Sequence, residues 1–124
     1  MKVLIVDDSN FSQKITASLL KEYLTDLDIY FAANGQAGFH TYTEVSPDFV
    51  FADLLMPELN GEGMIQLIKE YDPKAKIIIL SADVQKSVRT EMEKYSVITF
   101  INKPFNHEKA IEICQIMKEV SHGE

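Results

Sequence analysis

Val3-Leu4-Ile5-Val6-Asp7-Asp8 is a short, largely β-branched apolar run that stops abruptly at two carboxylates. The same pattern returns at Phe49-Val50-Phe51-Ala52, which ends in Asp53, and at Ile98-Thr99-Phe100-Ile101, which ends in Asn102-Lys103-Pro104. A further run, Ile77-Ile78-Ile79-Leu80, ends in the hydroxyl of Ser81. Runs this short predict strands buried on both faces, as in a parallel sheet, and open parallel sheets bind ligands at the carboxyl ends of their strands. The polar stops therefore belong to one rim.

Outward from these runs, strand-like and helix-like stretches alternate five times, which predicts an α/β fold with a parallel sheet. The first helix is expected over residues 10 to about 24, with Ser9 or Asn10 as cap and Phe11, Ile15, Leu19 and Leu20 on the buried side. A weaker strand, residues 28–33, passes through Asn34-Gly35 into a helix over residues 36–44, where Gly38 costs about 1 kcal/mol relative to alanine. Ser46-Pro47 closes it. The third helix is expected over residues 61–71, ended by Asp72-Pro73, with Met64, Ile65, Leu67 and Ile68 apolar. Val84, Val88, Met92 and Tyr95 give the fourth helix a narrow apolar stripe, so it should sit lightly on the sheet. The last helix follows Pro104, with Asn106 as cap, Phe105 and Ala110 as a staple, and Ala110, Ile113, Cys114 and Met117 inward.

The chain has 124 residues, a length that favours one domain able to bury its own core. Nineteen acidic against 12 basic residues give a net charge of −7, which disfavours nucleic-acid backbones and anionic membranes as partners. No apolar stretch approaches the roughly 18 residues of a membrane span. The expectation is a soluble, unexported, cytoplasmic protein. A single cysteine, Cys114, excludes an internal disulfide and reads as core filler. The three histidines, His40, His107 and His122, have no metal-ligand spacing.

Given the strand order 2-1-3-4-5, a flavodoxin-like three-layer (βα)5 arrangement with its switch point between strands 1 and 3, Asp7, Asp8 and Asp53 stand on neighbouring strands about 4.8 Å apart. Two unit charges some 5 Å apart repel by about 0.8 kcal/mol in water and about 3 kcal/mol at an effective dielectric of 20. A divalent cation removes that conflict, and hard oxygen ligands suit Mg²⁺. Lys103 lies two strand spacings from Asp53, roughly 10 Å, a gap that only a long cationic side chain closes. Taken singly, aspartates at strand ends also serve as turn formers or helix caps, Ser81 as a turn residue and Lys103 as a solvated charge. Those readings do not explain the set.

The set resembles the receiver domain of two-component response regulators, and above all its stand-alone, CheY-like members. The likeness covers the whole chain. It rests on Asp7-Asp8, on Asp53-Leu54-Leu55-Met56-Pro57 with Gly61 four positions later, on Ser81-Ala82 and on Lys103-Pro104-Phe105. The resemblance implies one receiver domain over residues 1–124 with no output domain, and Asp53 as phosphoacceptor. It implies Mg²⁺ held by Asp8, Asp53 and the backbone carbonyl of Leu55, with Asp7 acting mainly through bound water. Ser81 and Lys103 would hold the phosphoryl oxygens, the Lys103-Pro104 bond would be cis, and Phe100 would be the switch aromatic. Three departures from the usual pattern stand out: Ser81 for threonine, Phe100 for tyrosine and Ser96-Val97 for Gly-Ala.

By the same likeness the protein is not a conventional enzyme. It catalyses its own phosphorylation from a histidine kinase or phosphotransfer domain, and its own dephosphorylation. The new oxygens are expected to give Ser81 and Lys103 partners absent before, at about 1.5–3 kcal/mol for each bond to a charged group. Ser81 then draws Ala82-Asp83 inward, Phe100 turns, and the face of the fourth helix, fifth strand and fifth helix engages an unidentified downstream protein, chemotaxis targets among the candidates. The chain would be a monomer, or a dimer once phosphorylated. Leu55 and Asp83 flank the attacking water in this family. Leu55 cannot orient water by a hydrogen bond, so Leu55→Asn is expected to accelerate loss of phosphate, measured as the decay of phosphorylated protein. Two readings compete. A phosphorylation-independent adaptor would use the same face. An aspartyl-phosphate phosphohydrolase would need a D-x-D motif, but Asp7 and Asp8 are followed two positions later by Ser9 and Asn10.

Overall fold

A computed structural model describes residues 1–56, 59–82 and 85–122. Strands and helices alternate as β1 (Lys2–Val6), α1 (Asn10–Tyr23), β2 (Asp28–Ala32), α2 (Gly35–Val45), β3 (Phe49–Ala52), α3 (Gly61–Tyr71), β4 (Ile77–Ser81), α4 (Lys86–Glu93), β5 (Thr99–Asn102) and α5 (His107–His122). All strands are parallel, in the order β2-β1-β3-β4-β5. This is the flavodoxin-like order expected from the sequence.

Period-two alternation sends successive residues of each strand to opposite faces, and two cores result. Val3, Ile5, Phe49, Phe51, Ile78 and Leu80 pack against α1 and α5, with Leu20, Ala110, Ile113, Cys114 and Met117. Leu4, Val6, Val50, Ala52, Ile77 and Ile79 pack on the other face with Tyr42, Met64, Ile65, Ile68 and Met92. Burial pushes the Cys114 thiol above its usual range, with Lys118 opposing it, as befits a packing residue. No helix among the described residues is long and apolar enough to cross a membrane.

Side-chain caps start four of the helices, each oxygen accepting an otherwise unpaired backbone N–H. Ser9 Oγ accepts from Ser12, and Asn34, Asn60 and Asn106 Oδ1 accept from Ala37, Gly63 and Lys109. Helix α4 has no such cap and buries Met92 alone, in line with its narrow stripe. The helix is described over Lys86–Glu93, so Tyr95 of the expected stripe lies beyond its end, and Val84 lies outside the described residues. Gly38 is explained by packing: a Cβ there would meet Met64 Sδ at 2.6 Å and Val6 Cγ1 at 3.0 Å.

Two expectations fail. Phe11 is 75% exposed rather than buried, because the first turn of α1 overhangs the ends of the strands and the helix reaches its core only from Gln13 onward. Strand β5 is half-exposed rather than buried on both faces, because it is an edge strand covered by fewer side chains.

Ser96 holds a left-handed backbone, φ 56°, in the turn between α4 and β5. This conformation costs a non-glycine residue roughly 1–2 kcal/mol. Ser96→Gly is therefore expected to stabilise the fold by about 1 kcal/mol, less what glycine loses by its greater freedom when unfolded, as read from urea midpoints.

Candidate functional site

Strand register assembles the site. Val6 pairs with Ala52 across β1 and β3, so the next residues, Asp7 and Asp53, emerge side by side. Ser81 pairs with Asn102 across β4 and β5, and the following Lys103 N–H donates to Ser81 O at 3.0 Å. The Lys103-Pro104 peptide is cis.

The Asp53 carboxylate is buried, and both of its oxygens are engaged. Oδ1 accepts from the Ser81 hydroxyl at 2.7 Å and the Leu55 N–H at 3.0 Å; Oδ2 accepts from Lys103 Nζ at 2.9 Å. Ser81 Oγ in turn accepts the Leu54 N–H at 3.4 Å. Lys103 also donates to Asp7 Oδ2 at 2.7 Å, and Asp7 Oδ1 accepts the Ser9 N–H at 2.9 Å. Burial depresses the Lys103 ammonium, but its hydrogen bonds to Asp7 and Asp53, with their charge, outweigh burial and hold it above the ordinary lysine range. Each of Asp7, Asp8 and Asp53 offers a carboxylate oxygen, all within 4.8 Å of one another, with Asp8 exposed and the other two buried. Three hard, anionic oxygens opening to solvent fit Mg²⁺, which binds through a few carboxylates and keeps several waters.

Gly61 closes the site from below. A Cβ on it would lie 2.2 Å from Asp53 O and 2.6 Å from Leu54 Cα, so only glycine lets the start of α3 approach the Asp53 backbone this closely. Its N–H donates to Leu54 O at 3.2 Å. Beside Ser81 lies a hollow of about 290 Å³ lined by Leu54, Leu55, Glu62, Ala82, Gln85 and Val88.

The structure thus brings together Asp7, Asp8, Asp53, Ser81 and Lys103, with the Leu55 backbone at hydrogen-bond distance from Asp53. The Leu55 side chain is 71% exposed. Asp83 and Pro57 lie outside the described residues. Phe100 stands apart from the carboxylates, half-buried on β5, with the Arg89 guanidinium 4.9 Å from its ring centroid. One expectation is corrected. Ser81 and Lys103 already have partners on Asp53, because the side chains reach across the strand spacing to its carboxylate. Phosphoryl oxygens would replace those bonds rather than add to a blank.

Sequence reasoning missed Arg89, Gln13 and the depth of Gly61's contact. Arg89 and Phe100 are eleven positions apart on different elements, and only tertiary structure pairs them. Of the histidines whose side chains are described, His40 pairs with Glu44, and His107 with Tyr23 and Glu22.

The family described as response regulator receiver domain matches residues 3–115. The chain belongs to that family. Chemotaxis protein CheY of Thermotoga maritima is 38% identical over 114 residues, covering 90% of this chain and 92% of that protein. CheY of Listeria monocytogenes is 34% identical over 116 residues, 93% of this chain and 96% of that one. Among solved structures, the Borrelia burgdorferi complex of CheX, CheY, BeF3 and Mg²⁺ superposes with TM-score 0.87 at 27% identity, covering 97% of this chain and 89% of that one. Receiver domains bind Mg²⁺ at an acidic pocket and work in two-component signalling.

Proposed function

We propose that this receiver domain accepts a phosphoryl group on Asp53 in a Mg²⁺-dependent reaction and relays it as a change of surface. The observation that carries this reading is the Asp53 carboxylate itself: oriented by Ser81, Leu55 N–H and Lys103, and flanked by Asp7 and Asp8. An Asp53 oxygen attacks phosphorus in line, the P–N bond of a donor phosphohistidine breaks, and the imidazole keeps the electron pair. Phosphoryl transfer asks for alignment and charge neutralisation more than covalent help. Lys103 supplies a cation for one equatorial oxygen and Ser81 a hydroxyl for another. Asp7, Asp8, Asp53 and the Leu55 carbonyl would hold Mg²⁺, which supplies further positive charge.

Because Ser81 and Lys103 exchange partners, their net contribution to switching is below the sum of two new bonds. Moving a population from 1:99 to 99:1 needs about 5.5 kcal/mol, so partner binding completes the shift. Phe100, stacked under Arg89, is the coupled element of the α4, β5 and α5 face. An exposed cation–π contact of about 0.5–1 kcal/mol is weak enough to be exchanged. The downstream protein binds that face. The CheX complex of the Borrelia relative supports a protein target, and the net charge of −7 disfavours nucleic acid and anionic membranes. The protein works in the cytoplasm, as a monomer or as a dimer on phosphorylation.

Phe11 and Leu55, both strongly exposed, follow closely on Asp8 and Asp53 in the chain and give a donor protein apolar purchase beside the acceptor. Phe11→Ala is expected to leave uptake from acetyl phosphate unchanged and to slow transfer from a purified phosphohistidine-bearing phosphotransfer domain about tenfold, the effect of a modest interface residue.

Intact-mass measurement after incubation with acetyl phosphate tests the proposal. It expects a one-phosphoryl adduct that requires Mg²⁺ and is absent in Asp53→Asn. No adduct, with partner affinity indifferent to donor and metal, would favour the adaptor; sustained phosphate release from a small phosphorylated metabolite would favour a phosphohydrolase.

A further inference from the structure

We infer that Gln13 is a positioning residue that sets how tightly the acidic cluster holds a divalent cation, an inference that rests on the metal-dependent reading above. Gln13 is buried at the first point where α1 meets the core. Its side-chain Nε2 donates to Asp7 O at 2.7 Å and to Ala32 O at 3.2 Å. Its backbone N–H donates to Ser9 O at 3.0 Å. One residue therefore clamps both ends of Asp7-Asp8-Ser9, the segment that carries two of the three carboxylates. Ala32 O is shared, since it also accepts the Asp7 N–H at 3.0 Å, so the same amide fixes the end of β2 to the end of β1.

The carboxamide suits this place because it offers two hydrogens to two carbonyls and brings no charge to a cluster whose balance matters for metal. Without it, both carbonyls lose a buried donor and the Asp7-Asp8 segment is released on its inner side. Groups that orient metal ligands in this way commonly change affinity about 10- to 100-fold when removed.

Calorimetric Mg²⁺ titration of the full chain, well below the melting temperature, tests the inference with Gln13→Met, which keeps length and apolar volume but has no donor. The comparison is Thr16→Val, a buried polar site further along the same helix. Gln13→Met is expected to weaken Mg²⁺ binding about 10-fold, while Thr16→Val leaves it unchanged even where melting temperatures fall together. In the wild type, the Gln13 side-chain amide resonances are expected to shift on Mg²⁺ addition with the calorimetric midpoint, a readout that survives a variant that does not fold. Gln13→Met with wild-type affinity and only a lower melting temperature, or Gln13 resonances blind to Mg²⁺, would overturn the inference and leave the phosphoacceptor reading standing. A wild type that takes up no Mg²⁺ would overturn both.

Discussion

Lys103→Met is expected to slow phosphoryl uptake from acetyl phosphate about 10²–10³-fold, as loss of a single preorganised donor to developing charge does in other sites. Lys103 Nζ is the cation shared by Asp7 and Asp53, at 2.7 and 2.9 Å, and its side chain is only 21% exposed, so water cannot replace it well. The same change leaves three carboxylates facing one another without their ammonium. Their oxygens all lie within 4.8 Å of one another, and two unit charges at that outer limit repel by about 3.5 kcal/mol at an effective dielectric of 20. Mg²⁺ affinity should therefore rise as the rate falls. These opposite signs separate a role for Lys103 on the phosphoryl group from a role in merely building the pocket, which would weaken metal and rate together. Stopped-flow fluorescence or mass-based time courses, paired with Mg²⁺ titration, measure both. Unchanged uptake in Lys103→Met would contradict the assignment.

Gly61→Ala is expected to destabilise the fold by about 1–3 kcal/mol, the usual cost of forcing atoms into a packed interior. A methyl 2.2 Å from Asp53 O cannot be accommodated by rotating a side chain, since the obstacle is the backbone of Asp53 and Leu54. Either α3 backs away or Asp53 moves, and the second course shifts the carboxylate from Ser81 and Lys103. Urea unfolding reports the first quantity and the acetyl phosphate rate the second. A variant with wild-type stability and rate would show that the approach of α3 to Asp53 is looser than the structure has it.

Much of this was readable from residues. Short β-branched runs ending in polar groups place Asp7, Asp53, Ser81 and Lys103 at one rim, because parallel strands all end on the same side. What periodicity misses depends on neighbours in space. The apolar run before Asn102 looks like that before Asp53, yet β5 is an edge and β3 is central, a distinction that strand order makes and composition does not. Phe11 sits at helical spacing from Ile15, but whether sheet lies beneath it depends on where the strands stop. The reach of Lys103 was legible from strand spacing. Its double engagement with Asp7 and Asp53 was not, since that depends on rotamers at three positions. Gln13, an ordinary polar residue in a helix pattern, gives no sign in sequence that its amide is buried against two carbonyls.

The central claim is that Asp53, and neither of its acidic neighbours, becomes the acyl phosphate. Borohydride reduces an aspartyl phosphate to homoserine, so peptide mapping after treatment with acetyl phosphate, Mg²⁺ and borohydride reads the modified residue directly. Homoserine at position 53 alone is the expected result. Homoserine at position 7 or 8, or none at all in protein that binds Mg²⁺, would contradict the account.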